Sequence, residues 1–352
     1  MSSIQAFASY AGLIGIATTS VYAGAKGSVK VRRRPKKKGD AKHAEDDVPR
    51  LTSGDAWLFP VLGSAALLGL FLVIKYLGKE WINWLMGWYF SFAALYSVPS
   101  MLIKQTRWAI GRERWESCSL HSFDLVTPGS SRYSSALRTP SFVLIPLGIL
   151  PTLYYQITSA KKPFLLTDLT ALSFAHEAMS LLLLDSWSTG CVLLSGLFIY
   201  DIWWVFGTKV MVSVATSLDV PIKLLWPKSP LSLSKGFMML GLGDIVVPGL
   251  FVATALRYDH ARSGKVDTFP TPYFTACLVA YALGLVLTMT VMHAFNAAQP
   301  ALLYLSPACI LAFLGMAFYH GEFQEAWKWT DDDKSASEKS KIGAFLVGGS
   351  DQ

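Results

Sequence analysis

The chain has 352 residues, of which 52% are hydrophobic and only 16% are charged, and its mean hydropathy is +0.39. A soluble domain usually has about 25% charged residues, so this composition excludes an ordinary soluble enzyme and predicts an all-α polytopic membrane protein. The net charge of +7 does not indicate a nucleic-acid partner, because the basic residues lie in loops beside apolar segments, where they orient membrane helices.

Nine segments are predicted to span the membrane, since about 20 apolar residues cross a bilayer as a helix. In chain order they are Ile4–Ala23, Ala56–Tyr76, Trp81–Ile103, Ser141–Ile157, Phe164–Leu184, Gly190–Phe206, Phe237–Leu256, Tyr273–Ala294 and Pro300–Tyr319. The first is the least apolar, and the small residues at its end resemble a signal-peptide cleavage site. It lacks a basic N-terminal region, however, so we expect it to be retained as a span.

The positive charges of the loops predict the orientation of these spans. About three quarters of the 31 Lys and Arg residues lie in the loops 25–55, 104–140, 185–189 and 257–272 and in the tail after Tyr319. Because loops rich in Lys and Arg stay in the cytosol, the N-terminus is predicted to be lumenal and the C-terminus cytosolic.

The predicted spans fall into two groups followed by a tail. An N-terminal transmembrane bundle of about five helices occupies 1–184 and contains the basic cytosolic loop 25–55. A core of about four helices occupies 185–321, and the polar residues of 322–352 are predicted to form a flexible cytosolic tail. We find no internal sequence repeat, which argues against a transporter built from two related halves.

Two aspartates interrupt consecutive predicted spans. Asp201 lies in the span Gly190–Phe206 and Asp244 lies in the span Phe237–Leu256. A charged side chain at the centre of a spanning helix costs about 3 kcal/mol on insertion scales, so such a group is expected to face the protein interior and to have a partner. One such residue alone is explained equally well as a polar contact between helices. Because the two spans run antiparallel, both aspartates are predicted to face each other near mid-depth.

A pair of carboxyl groups at close range is suited to peptide hydrolysis. The two groups cannot both ionise readily, so they share a proton, as in aspartic proteases. One member then takes a proton from an attacking water and the other protonates the carbonyl oxygen or the leaving amine. Because the pair titrates as a unit, no separate acid and base are assigned. Asp201 and Asp244 are therefore predicted to be catalytic, with no metal and no organic cofactor.

The residues beside the two aspartates are predicted to bind the substrate: Tyr200, Gly241, Leu242, Gly243, Gln299, Pro300, Ala301 and Leu302. The two glycines lack a Cβ, so a peptide backbone or a neighbouring helix can approach closely. The tyrosine offers a hydroxyl to the site or packs against a neighbouring helix. Pro300 is a common helix-start residue and also suits a segment that lines a cleft. Pro248 is expected to loosen the helix beyond Asp244, because it removes a backbone hydrogen bond.

Three motifs follow one another along the chain: Tyr-Asp at 200–201, Gly-Leu-Gly-Asp at 241–244 and Pro-Ala-Leu at 300–302. In this order the chain resembles the presenilin-type intramembrane aspartyl proteases, and from about 188 to 321 it is similar to their signal peptide peptidase branch. The resemblance implies a presenilin-like bundle of nine helices in the endoplasmic-reticulum membrane. It also implies transmembrane peptide substrates, namely signal-peptide remnants and other type II segments, and a homo-oligomer in the lipid bilayer.

Two other protease chemistries fit the sequence poorly. A zinc protease needs His-Glu-x-x-His, but in the segment that begins with His176 and Glu177 a serine, Ser180, stands where the second histidine belongs. The spans also lack a convincing Gly-x-Ser-x-Gly motif for a serine nucleophile. One alternative stays open: a non-proteolytic transporter, ion leak or membrane-protein-binding scaffold that uses the intramembrane carboxylates to bind its ligand.

Overall fold

A computed structural model describes residues 3–28, 50–126, 132–157, 163–208, 210–218, 220–228, 236–263, 269–295 and 299–331. Most of the predicted basic loop 25–55 lies outside these residues. The described residues form the helices α1 (Ser3–Ser28), α2 (Ser53–Leu77), α3 (Lys79–Ile110), α4 (Arg112–Ser117), α5 (Thr139–Ile157), α6 (Phe164–Leu181), α7 (Trp187–Phe206), α8 (Val210–Ser217), α9 (Gly243–Ser263), α10 (Pro272–Phe295), α11 (Leu302–Tyr319) and α12 (Phe323–Lys328).

The same residues contain three small sheets of two strands each. The strands are β1 (Arg50–Leu51), β2 (Leu120–Val126), β3 (Arg132–Arg138), β4 (Leu183–Leu184), β5 (Lys223–Pro227) and β6 (Phe237–Gly241). Strands β1 and β4 pair in parallel, whereas β2 with β3 and β5 with β6 are antiparallel. The prediction of a mainly helical protein is confirmed, but the prediction of an all-α fold is wrong for these connecting segments.

Each predicted span overlaps a helix of 18 or more residues in the described part of the chain. Four of these helices, α2, α7, α10 and α11, are long and apolar enough to cross a membrane by length and composition. The described residues therefore show a helical membrane protein with four candidate spans, and the count of nine stays a prediction.

The span predicted at Phe237–Leu256 is wrong at its start. Its first five residues form β6, and α9 begins only at Gly243. Glycine is a poor helix former, and the glycines at 241 and 243 allow the chain to leave a strand and enter a helix within two residues. Asp244 therefore lies in the first turn of α9 and not, as predicted, in the middle of a continuous helix.

Strands also replace parts of two other predicted segments. The predicted span Phe164–Leu184 ends as a helix at Leu181, because Leu183 and Leu184 pair with β1. The predicted cytosolic loop 104–140 contains the hairpin of β2 and β3, which pairs seven residues on each strand.

The predicted flexible tail 322–352 is packed as far as the structure describes it. Helix α12 forms its first part, and the backbone N–H of Asp331 then donates to the carbonyl of Asp185 at 2.9 Å. The Asp331 carboxylate also lies 3.6 Å from Nη1 of the buried Arg257. These contacts tie residues 322–331 to the start of α7 and the end of α9, and the flexibility of the tail stays a prediction. Residues 332–352 lie outside the described residues.

The core lies around α9. Every residue of this helix from Pro248 to Asp259 is buried, because α1, α6, α7, α10 and α11 surround it. Trp187 of α7 stacks on Phe313 of α11 with ring centroids 3.5 Å apart and meets Phe251 of α9 edge-on at 5.0 Å. Buried aromatic pairs of this kind add directional attraction to the burial of their large apolar area. The cluster therefore fixes α7 against α9, the two helices that hold Asp201 and Asp244.

The first N–H groups of a helix have no acceptor within the helix itself. In two core helices, side chains accept hydrogen bonds from these groups. The Ser186 hydroxyl accepts the N–H of Thr189 at 3.3 Å at the start of α7. The carboxylate of Asp259, near the end of α9, accepts the N–H groups of Phe274 at 2.8 Å and Tyr273 at 3.4 Å at the start of α10. The end of α9 thus determines where α10 begins.

The close approach of α7 to α9 is testable at Gly190. A Cβ at this position would lie 2.8 Å from Cδ2 of Phe251, whose ring is fully buried and cannot move aside. Gly190→Ala should therefore push the two helices apart and lower the free energy of unfolding by about 1–3 kcal/mol, measured by denaturant unfolding in detergent. The matched control is Gly315→Ala on α11, where a Cβ would meet nothing within 4 Å. Equal stability of both variants would contradict this packing.

Candidate active site

Asp201 lies on α7 and is only 4% exposed. Its Oδ2 accepts the backbone N–H of Leu302 at 3.3 Å, and Leu302 is the first residue of α11. An N–H group at a helix start needs an acceptor outside the helix, and a carboxylate there also interacts favourably with the positive end of the helix dipole. The structure therefore brings together two predicted site residues that are 101 positions apart in the chain.

Asp244 lies at the junction of β6 and α9 and is partly exposed. Its carboxyl group is close enough to that of Asp201 for the two to interact electrostatically. The carboxyl also folds back over Gly241, because a Cβ on that glycine would lie only 3.2 Å from Asp244 Oδ2. The two carboxyl groups thus lie near each other, although one belongs to the interior of a helix and the other to the first turn of another helix.

One edge of the hairpin formed by β5 and β6 is covered. The backbone N–H of Leu225, which points away from β6, donates to Oδ1 of Asp168 at 2.7 Å. Asp168 belongs to α6 and is 7% exposed. A carboxylate in this place occupies a donor that an added strand would need, so β5 cannot extend the sheet at this position.

The other edge of the hairpin is open and leads to Asp244. The N–H of Leu242 donates to the carbonyl of Ile222 at 2.9 Å, so the even-numbered residues of β6 form the hydrogen-bonded pairs with β5. The N–H and C=O groups of Met239 and Gly241 therefore point away from β5. Met239 is 52% exposed and Gly241 is exposed. A peptide in extended conformation could pair with this edge.

The segment before α11 makes the other wall of the site. Pro300 and Ala301 are buried, and Ala301 is the residue from which α11 starts. The Gln299 Oε1 accepts the hydroxyl of Tyr304 at 3.5 Å, which links the segment to the first turn of the helix. The helix begins at Leu302 and not at the predicted Pro300, although the carbonyls of Pro300 and Ala301 already accept N–H groups from its first turn.

Tyr200 packs against a neighbouring helix, which is one of the two roles that the sequence left open. A Cβ at Gly63 of α2 would lie 3.5 Å from the Tyr200 ring. One turn further along α7, Nε1 of Trp204 donates to the hydroxyl of Ser64 at 3.0 Å. These contacts hold α2 against the part of α7 that contains Asp201.

Two residues at the site were missed by the sequence analysis. Asp168 is a carboxylate within an apolar predicted span, and the argument that selected Asp201 would have selected it too. Tyr281 of α10 donates its hydroxyl to the backbone carbonyl of Asp244 at 3.3 Å, and no pattern in the sequence indicates that contact.

Glu177, considered above for zinc chemistry, instead forms an ion pair with Lys104 at 2.8 Å.

Comparison with known proteins gives a consistent result. The family model described as signal peptide peptidase matches residues 43–333. The chain is 36% identical over 349 residues to human "Signal peptide peptidase", which covers 95% of this chain and 87% of the human protein. It is 36% identical over 294 residues to a probable intramembrane protease of Schizosaccharomyces pombe, covering 81% of this chain and 87% of that protein. It is also 39% identical over 193 residues to "Intramembrane protease 2" of Caenorhabditis elegans, covering 51% and 41%.

The contact between Gly241 and Asp244 gives a prediction for catalysis. In Gly241→Ala the added methyl group must displace the Asp244 carboxyl by a few tenths of an ångström, because their separation of 3.2 Å is shorter than normal packing. We expect the turnover rate to fall by about 10-fold, measured as cleavage of a membrane-inserted peptide by the purified protein. Gly315→Ala is the control, since it adds the same methyl group in open space. Unchanged turnover in Gly241→Ala would show that the carboxyl position is not critical.

Proposed function

The chain belongs to the signal peptide peptidase family and is an aspartic-type intramembrane endopeptidase, and we propose that Asp201 and Asp244 are its catalytic pair. The proposal rests chiefly on one observation: two helices that pack against each other, α7 and α9, bring two carboxyl groups near each other within a largely apolar bundle. Other buried carboxylates among the described residues have structural partners, as Asp259 has at the start of α10.

The proposed reaction is hydrolysis of a peptide bond by a water held between the two carboxyl groups. The pair shares one proton, so one member is free to accept a proton from the water while the other donates to the scissile carbonyl oxygen. The tetrahedral intermediate then releases the amine, which takes up a proton from the pair. The Leu302 N–H, which binds Oδ2 of Asp201 at 3.3 Å, holds that carboxyl in place during these steps.

The open edge of β6 is the proposed binding site for the substrate backbone. A helical substrate is a poor target because its carbonyl groups are already hydrogen-bonded, so it must first unwind. The unwound segment pairs with Met239 and Gly241 and is thereby directed to Asp244. The segment 299–302 lines the opposite side of the cleft, beside Asp201. The covered edge of β5 supports this arrangement, because it leaves β6 as the edge of the hairpin that can accept a strand.

The proposed setting is the endoplasmic-reticulum membrane, with a lumenal N-terminus, a cytosolic C-terminus and nine spans in a presenilin-like bundle. The overlap of each predicted span with a long helix supports the count, and the uneven distribution of Lys and Arg supports the orientation. The proposed substrates are signal-peptide remnants and other type II transmembrane segments, in keeping with the name of the human relative. We also propose that the protein works as a homo-oligomer.

The catalytic pair is tested by replacing each carboxyl with an amide. Asp201→Asn and Asp244→Asn each keep the side-chain shape but cannot exchange the proton, so each should lower peptide cleavage by at least about 1,000-fold. The assay uses detergent-purified protein and a type II signal-peptide substrate. Asp259→Asn is the matched control, since Asp259 is a buried carboxylate that caps α10 and does not contact the pair. Substantial cleavage by Asp201→Asn or by Asp244→Asn would refute the assignment of these two residues as the catalytic pair.

The binding edge is tested at Met239. Met239→Pro removes an N–H that faces away from β5, so the hairpin itself keeps its hydrogen bonds, as is usual for proline on an edge strand. Loss of one backbone hydrogen bond to the substrate should raise KM by about 5-fold, with a smaller effect on kcat. Met239→Ala shortens the same side chain but keeps the N–H, so the difference between the two variants reports backbone pairing. Equal KM values for both variants would exclude pairing at this residue.

A further inference from the structure

The backbone carbonyl of Asp244 has lost its normal helical partner. In an α-helix the N–H of each residue bonds to the carbonyl four positions earlier, so the partner of the Asp244 carbonyl is the N–H of residue 248. That residue is Pro248, which has no N–H. An unpaired carbonyl inside an apolar bundle is unfavourable, and the first turn of α9 is held by one hydrogen bond fewer than a regular helix.

Tyr281 supplies the missing donor from another helix. Its hydroxyl donates to the Asp244 carbonyl at 3.3 Å, and its side chain is completely buried. A buried tyrosine has only two side-chain torsions, both restricted by packing, so its hydroxyl is a rigid point of attachment. The contact thus reaches from α10 to the backbone of the residue whose carboxyl lies near that of Asp201.

We propose that Tyr281 is a positioning residue for the catalytic pair. The chain just before Asp244 contains Gly241 and Gly243, which restrict the backbone little. The helical turn just after Asp244 lacks one backbone hydrogen bond, because Pro248 has no N–H to donate. The hydroxyl of Tyr281 holds the backbone between these two weak points and so fixes the Asp244 carboxyl relative to Asp201. This inference rests on the proposed function of the pair.

The first test replaces only the hydroxyl. Tyr281→Phe keeps the buried ring, and we expect kcat to fall about 3- to 10-fold while KM stays within about twofold, because the substrate edge of β6 is untouched. Tyr273→Phe is the matched control: Tyr273 is equally buried on the same helix but lies two turns away, about 12 Å along the axis. An unchanged kcat in Tyr281→Phe, or an equal loss in Tyr273→Phe, would overturn the proposal.

The second test restores the helical hydrogen bond. Pro248→Ala provides the N–H that the Asp244 carbonyl lacks, so adding Tyr281→Phe to this variant should change kcat by less than about twofold. A loss as large as in the wild-type background would show that the hydroxyl does not act through this carbonyl. Asp201→Asn is measured with the same substrate. If Asp201→Asn cleaves the substrate like the wild type, the proposed catalytic pair is refuted. If Asp201→Asn is inactive but Tyr281→Phe is unaffected, only the proposed role of Tyr281 is overturned.

Discussion

The need of helix starts for hydrogen-bond partners is the constraint on which the candidate site of this apolar bundle depends. Inside a membrane protein every backbone polar group needs a partner within the protein or in a water-filled cavity, and the first N–H groups of a helix have none within the helix. Asp201 meets this need for α11 through Leu302, while Asp244 lies in the first turn of α9. The proximity of the two carboxyl groups is thus linked to where α9 and α11 begin, and the aromatic cluster around Trp187 keeps those two helices in contact.

The need of every backbone polar group for a partner also applies to the hairpin of β5 and β6 beside the two aspartates. A two-stranded sheet has two edges, and unpaired edge groups are costly where water is absent. Asp168 covers one edge of this sheet at Leu225, whereas the other edge, at Met239 and Gly241, is exposed next to Asp244. A substrate that has just unwound has the opposite need, since its own backbone groups have lost their helical partners. In the proposed binding mode, pairing of the substrate with this edge satisfies the backbone groups of both and places the scissile bond beside the carboxyl groups.

Some of these features could be predicted from the sequence and others could not. Asp201 and Asp244 were found because carboxylates are conspicuous in apolar segments, and the positions of the long helices followed from hydrophobicity. The strand β6 was missed because Phe237–Gly241 is a short apolar run, which does not distinguish a strand from the start of a buried helix. The prediction that Asp244 lies in the middle of a continuous helix was wrong for the same reason. Tyr281 was missed because its role depends on a contact between α9 and α10, which no periodicity encodes.

The most direct measurement of the central claim is binding of a peptide transition-state analogue whose hydroxyl group replaces the attacking water. Because that hydroxyl must lie between both carboxyl groups, the account predicts photo-crosslinking of such an analogue to the wild-type protein and its loss in Asp201→Asn and in Asp244→Asn. Specific crosslinking that persists in both variants, or that never occurs with a wild-type protein competent in cleavage, would contradict a shared site at these two aspartates.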